Sequence, residues 1–309
     1  MSAGAEQVLK CTVRKESMMA IIHELKLPVL REESINVCRG SIFFVGTATV
    51  IIKHAGFTIL TDPNFLHSGD HVHLGYGLTS RRLTNPAIDI DELPPLDFCI
   101  LSHFHGDHFD RIAVERLDKS LPIMTTPEAA KALEARGFRR LFPLRTWDTM
   151  KVTKAGARVM LTSMPGKHAP GLLSRLLPSV MGSMLEFGTT RGASPFNLYI
   201  SGDTLVIDEL REIPKRYPEI DLALMHLGGT KILRLLTVTM DAEQGVEALK
   251  IIRPHAAIPI HYNDYTVFKS PLSDFKRAVE DAKLPVQIIY LSHGETYDFE
   301  VRVCGLKAV

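Results

Sequence analysis

The chain is poor in cysteine, has one tryptophan, carries almost no net charge and contains no long apolar run. Its four cysteines, Cys11, Cys38, Cys99 and Cys304, are far apart and form no C-x-x-C pair. A disulfide framework is therefore not expected, and a reducing cytoplasm is the simpler home. Lys and Arg total 36 against 35 Asp and Glu, a formal charge of +1. That balance argues against a nucleic-acid partner of the usual basic-surface kind. No stretch reaches the roughly 18 uninterrupted apolar residues that a spanning helix needs. No apolar segment follows a basic start, so no signal peptide is expected. The sequence also lacks a G-x-S-x-G elbow for a serine nucleophile and a G-x-x-x-x-G-K-[ST] phosphate loop.

What is present is enough apolar material, 45% of 309 residues, to fill a sizeable core. Within it one stretch stands out: FCILSHFHGDHFD, Phe98 to Asp110. Phe98 to Leu101 reads as a short buried strand. In extended chain, residues two apart project to one side, so His103 and His105 can reach a common point. Gly106 is expected to permit a sharp bend, after which Asp107 and His108 address a second point. Imidazole suits zinc, iron and manganese, and a carboxylate adds charge to hold a divalent ion. A His-rich surface loop is the bland alternative, but such a density of ligand-capable side chains directly after a strand is hard to explain as packing.

Around this stretch the pattern alternates strands and helices. Ser17 to Leu25 reads as a short helix with Met18, Ile21, Ile22 and Leu25 on one face, an edge covering or dimer contact. Ser41–Val45, Ala48–Lys53 and Phe57–Thr61 read as consecutive antiparallel strands, broken at Gly46 and at His54-Ala55-Gly56. Residues 64–97 form a long connection containing His67, His71 and His73, either a polar surface loop or a substrate-facing lid. Arg81 and Arg82 could bind an anionic group of a substrate, but read first as a solvated pair. Helices are expected over Phe109–Leu117, after the Thr126 cap, over Ala242–Ile251 and over Pro271–Ala282. Further strands are expected at Pro122–Thr125, Thr149–Thr153, Arg158–Ser163, Asn197–Ser201, Asp221–Leu227, Ala256–Ile260 and Val286–Leu291. Trp147 reads as core. Such an order implies sheets covered by helices. Leu172, Leu173, Leu176 and Leu177 are interrupted by Pro178; they suit an apolar acyl pocket or a membrane surface.

His103-x-His105-x-Asp107-His108 resembles the signature of metallo-β-lactamase fold hydrolases. Thr61-Asp62-Pro63, the isolated His168, Ser201-Gly202-Asp203-Thr204 and His261 follow in the order that superfamily shows. Within it the chain is similar to the group containing L-ascorbate-6-phosphate lactonases and N-acyl phosphatidylethanolamine phospholipase D enzymes. The resemblance implies an α/β fold: a four-layer αββα sandwich of two mixed sheets, over residues 36–309, with residues 1–35 packed on it as an extension. It also implies two divalent metal ions, zinc first, with manganese or iron open to the same ligands. His103, His105 and His168 would hold one, Asp107, His108 and His261 the other, and Asp203 would bridge them. Asp62 would orient a ligand histidine from behind, unless it is only a turn residue before Pro63. A hydroxide shared by the two ions would then attack an ester, lactone or phosphodiester, with Asp107 and His261 in the catalytic set. The substrate would be small, with an apolar acyl part allowed; peripheral membrane contact and a homo-oligomer stay open. A mononuclear iron redox enzyme and a non-catalytic binding protein are the competing readings. His226 reads as a hydrogen-bonded core histidine, His293 as a turn residue, and Lys167 as a candidate substrate-facing cation. Tyr262 and Tyr265 are either oxyanion donors or core.

Overall fold

The computed structural model describes residues 20–29, 35–74, 79–168, 177–190, 192, 196–232 and 236–301. The first half runs β1 (Ile22–Lys26), β2 (Arg39–Gly46), β3 (Thr49–His54), β4 (Phe57–Thr61), β5 (His71–His73), β6 (Thr79–Arg81), β7 (Phe98–Leu101), α1 (Arg111–Arg116), β8 (Ile123–Thr125), α2 (Pro127–Glu134) and β9 (Leu141–Pro143). The second runs β10 (Thr149–Lys154), β11 (Ala157–Met164), β12 (Gly182–Thr189), β13 (Phe196–Ile200), α3 (Ile213–Arg216), β14 (Leu222–His226), β15 (Lys231–Ile232), β16 (Leu236–Thr237), α4 (Ala242–Ile252), β17 (Ala256–Ile260), α5 (Leu272–Ala282), β18 (Gln287–Ile288) and β19 (Thr296–Glu300). A seven-stranded mixed sheet has the order β19-β2-β3-β4-β7-β8-β9, and an eight-stranded one the order β1-β10-β11-β12-β13-β14-β17-β18.

Side-chain alternation explains why two sheets stack with helices outside. In β7, Phe98 and Ile100 enter the core shared with the other sheet, while Cys99 and Leu101 turn to the cluster under α1 and α2. In β14, Leu222 and Leu224 enter the shared core, while Ala223 and Met225 face Leu249 and Phe275 of α4 and α5. Each fully buried Leu, Ile or Phe contributes roughly 1.5–3 kcal/mol, so both faces of both sheets must be covered. The hairpins are set locally. Ala55-Gly56 and Ala155-Gly156 both take positive φ, the pairing that suits a two-residue turn between twisted strands. Thr126 caps α2 by accepting from the Ala129 amide, and Asp241 caps α4 by accepting from Gln244.

Two expectations are corrected at the chain's ends. The helix expected over Ser17–Leu25 is, where described, strand β1, parallel to β10 from Ile22 beside Thr149 to Lys26 beside Thr153; Met18 lies outside the described residues. The open backbone edge of β10 supplies hydrogen bonds that a short lone helix could not match. At the other end the Val286–Leu291 strand shrinks to Gln287–Ile288. The chain then crosses back, and β19 pairs antiparallel with β2 in the first sheet.

Candidate metal centre

The candidate ligands all stand at C-terminal ends of strands. Asp62 directly follows β4, Ser102 and His103 follow β7, Ser201 to Asp203 follow β13, His226 ends β14 and His261 follows β17. His168 follows β11 after a short loop. The two stacked sheets thus deliver side chains from distant sequence to one edge. Ligand atoms of His103, His105 and His168 lie within 4.8 Å of one another, as do those of Asp107, His108 and His261, and those of His103, His108 and Asp203. Asp203 therefore sits where the two histidine sets meet.

The backbone is forced at several of these positions. His261 has φ +63° and Asp62 φ +36°, left-handed values that cost a non-glycine residue about 1–3 kcal/mol. The His261 amide donates to the Thr47 carbonyl at 2.6 Å, which holds the turn. Before Asp203, Gly202 has φ +61°, and a Cβ there would meet the Met181 carbonyl at 2.6 Å. Asp62 Oδ1 accepts from the Ser102 amide at 2.8 Å and hydroxyl at 2.9 Å. The same oxygen lies 3.5 Å from His108 Nδ1, and Oδ2 lies 3.5 Å from His226 Nε2.

Electrostatics divide the cluster. Burial, with neighbouring imidazoles, lowers His103 well below the ordinary histidine value and brings His105 down to about 4. His168 is lowered by burial too. Burial also opposes charge on His108 and His261, but Asp203 and Asp107 outweigh it and raise both. In turn burial pushes the carboxyls up, and the imidazoles overcome it: Asp203 is held well below its usual range and Asp62 at about 2. One half thus presents neutral imidazoles, the metal-binding form. Metal ligation requires the deprotonated form of each of these groups.

The most telling feature is what lacks a partner. His105 Nε2, Asp107 Oδ1 and His168 Nε2 are buried without a hydrogen-bond partner among the described residues, while His108 Nε2 lies 3.2 Å from Asp203 Oδ2 and His261 Nε2 3.6 Å from Asp107 Oδ2. Each such atom costs roughly 1–3 kcal/mol if left unsatisfied. Imidazole nitrogens and carboxylate oxygens converging from opposite sides fit divalent cations. Above them is a cavity of about 20 Å³, lined by Leu74, His105, Asp107, His168, Leu177, Asp203, Thr230, Val238 and Thr239. His105 also lines a larger groove of about 550 Å³ with Val72, Phe104 and Arg136.

A family model described as the Beta-lactamase superfamily domain matches residues 58–262, from β4 through His261. The chain belongs to the beta-lactamase superfamily. Among similar members, a UPF0173 metal-dependent hydrolase of Hyperthermus butylicus is 25% identical over 268 residues, covering 84% of this chain and 100% of its own. The UPF0173 protein YddR of Bacillus subtilis is 28% identical, covering 82% and 98%. Among solved structures, an isothiocyanate hydrolase from Delia radicum gut bacteria shares the fold, with a TM-score of 0.69 at 19% identity over 84% of this chain and 99% of that one. The superfamily's four-layer α/β sandwich is the architecture described above.

The structure brings together every residue the sequence nominated: His103, His105, His168, Asp107, His108, Asp203 and His261, with Asp62 behind His108. It corrects others. Arg82 is not a solvated cation but fully buried, because its guanidinium is bonded to Thr47 and Asn64. Gly106 does lie in the expected turn, without a positive φ. Its missing Cβ instead admits the β5–β6 hairpin, since a Cβ would meet Val72 Cγ2 at 2.2 Å. Lys167 turns to Glu209 at the surface, 2.5 Å away. The Tyr262 hydroxyl donates to the Leu291 carbonyl and Tyr265 to Asn64, so both are committed to the protein. His226 is buried, and its Nδ1 lies 3.3 Å from the Ser201 hydroxyl. His293, although in a turn, contacts Asp264 at 3.2 Å. Leu172, Leu173 and Leu176 lie outside the described residues; Leu177 lines the cavity. Sequence reading missed Ser102, Asn64 and Thr239, whose hydroxyl donates to Asp203 Oδ2. A serine between a strand and the signature was the one visible hint.

Among the described residues no helix is long and apolar enough to cross a membrane.

Proposed function

We propose that this chain is a binuclear metal-dependent hydrolase that cleaves an ester, lactone or phosphodiester bond in a small or lipid-like substrate. The observation carrying this reading is the convergence of buried, partnerless ligand atoms at one edge of both sheets. His103, His105 and His168 would hold one ion and Asp107, His108 and His261 the other, with Asp203 shared; zinc fits first, then manganese or iron. Bound there, the ions supply Lewis acidity and a water that ionises near neutral pH.

The chain's own groups do the rest. Burial would raise the Asp107 carboxyl, but His108 and His261 keep it ionised. Its partnerless Oδ1 can then take a proton from the attacking water. Thr230 Oγ1, also buried and partnerless, lines the cavity and can donate to the acceptor oxygen as charge develops. Leu74, Leu177 and Val238 exclude water around the reacting bond. The groove beyond His105, with Val72, Phe104 and Pro178 in its lining, offers room for an apolar part of the substrate.

The test is a panel of ester, lactone and phosphodiester substrates given to chelator-stripped protein and to protein reloaded with zinc, manganese or iron. Turnover of one substrate class only after reloading is expected. Asp107→Ala should abolish that turnover while the circular dichroism spectrum stays native. Equal turnover by stripped protein, or oxygen uptake without hydrolysis, would rule the proposal out.

A further inference from the structure

Arg82 is among the largest fully buried side chains, whereas its neighbour Arg81 is exposed. A guanidinium taken out of water needs its hydrogen bonds and charge offset. Among the described residues no carboxylate pairs with it directly; it acts on Asp264 and Asp110 through space. Its Nε donates to the Thr84 carbonyl at 3.0 Å. Nη1 donates to Thr47 Oγ1 and to Asn64 Oδ1. The guanidinium carbon lies 5.1 Å from the Tyr265 ring centroid, and the Tyr265 hydroxyl donates to the same Asn64 oxygen.

Both acceptors lead to the metal centre. Asn64 Nδ2 donates at 3.0 Å to the carbonyl of Gly106, in the turn between His105 and Asp107. The Thr47 carbonyl accepts the His261 amide, and the Thr47 amide donates to Asp264 Oδ2 at 2.6 Å. Thr47 has φ +53° and His261 φ +63°, so two strained residues face each other and need holding from outside. His103 and His168 are held through Ser102 and the Val238 carbonyl, and His108 Nδ1 also lies 3.3 Å from the Ser102 hydroxyl, so the links that run through Arg82 bear on the Gly106 turn and the His261 backbone.

We propose that Arg82 is a positioning residue for the Asp107, His108 and His261 half of the centre. It fixes Asn64 and Thr47, and through them the Gly106 turn and the His261 backbone. The proposal rests on the metal reading above. An arginine is needed because a planar fork divides its donors among fixed acceptors, whereas a lysine keeps the charge and loses the fork.

Chelator-stripped wild type, Arg82→Lys and Asn64→Ala are titrated with zinc(II) by calorimetry, and with cobalt(II) by visible absorption. Wild type should take up two equivalents. In both folded variants one equivalent should keep its wild-type affinity while the other weakens about 10–100-fold, the usual loss when an outer hydrogen-bond partner is removed. A purely structural role would lower the melting temperature and leave both affinities unchanged; that result overturns the proposal, as does equal weakening of both equivalents. Should Arg82→Lys fail to fold, Asn64→Ala cuts the same link at its far end and decides by the same two outcomes. Wild type that binds neither metal would sink the metal reading itself, and this proposal with it.

Discussion

Asp62 shows how much one residue can be asked to do. It sits at φ +36°, accepts two bonds from Ser102 and lies between His108 and His226. A carboxylate so placed fixes which His108 nitrogen faces inward and makes it more basic. That inward nitrogen, Nε2, is 3.2 Å from Asp203. His226 belongs to this arrangement because β14 alternates: Leu222, Leu224 and His226 share the face toward the other sheet. A different histidine, His54, makes the residue scale testable away from the centre. Burial among Phe187, Phe196 and Phe299 lowers its value below 6.5, against the raising effect of the Arg39 carbonyl. The unfolded chain then binds that proton more tightly, so its contribution is full above 6.5 and is lost as pH falls below it. In chelated protein, His54→Phe should lose less melting temperature than wild type between about pH 7.5 and about pH 5.5. Parallel pH profiles would show that His54 is not shifted by burial.

At the scale of elements, the β5–β6 hairpin and the signature loop must be considered together. Val72 of β5 rests where a Cβ of Gly106 would be, and the His73 carbonyl is 2.9 Å from that point. Gly106→Ala should therefore push the hairpin off or bend the ligand loop. The expected cost is about 1–3 kcal/mol of stability, as for other overpacked sites, with weaker metal uptake, read by thermal melts and zinc titration. An alanine variant with wild-type melting and uptake would mean the hairpin does not bear on the loop. Periodicity made most elements legible: β4 and β17 run from Phe57 to Thr61 and Ala256 to Ile260, as their apolar patterns read. The strand β1 was not legible. Its apolar spacing suits a helix, and only the free edge of β10 decides otherwise. Arg82 was not legible either, since whether an arginine in a loop is solvated depends on Thr47, Asn64 and Tyr265, all distant or unremarkable in sequence.

At the scale of the whole molecule, the centre joins the two sheets. The first supplies Asp62 and His103 to His108; the second supplies His168, Asp203, His226 and His261. The local ligands were legible because they crowd one strand end. The distant ones could be nominated only by order along the chain, because no local pattern marks a lone histidine in a Gly/Pro loop. Ions held between the sheets would act as a clasp. A ligand at about 1,000 times its Kd adds about 4 kcal/mol to the folded state. Zinc should thus raise the melting temperature by several degrees and a chelator should reverse it; an unchanged melt would mean the sheets are not linked through the centre. The most direct measurement is anomalous X-ray scattering at the zinc edge from crystals grown with zinc(II). Two peaks are expected, one among His103, His105 and His168 and one among Asp107, His108 and His261, with Asp203 touching both. A single peak, or none at this edge of the sheets, would contradict a binuclear centre.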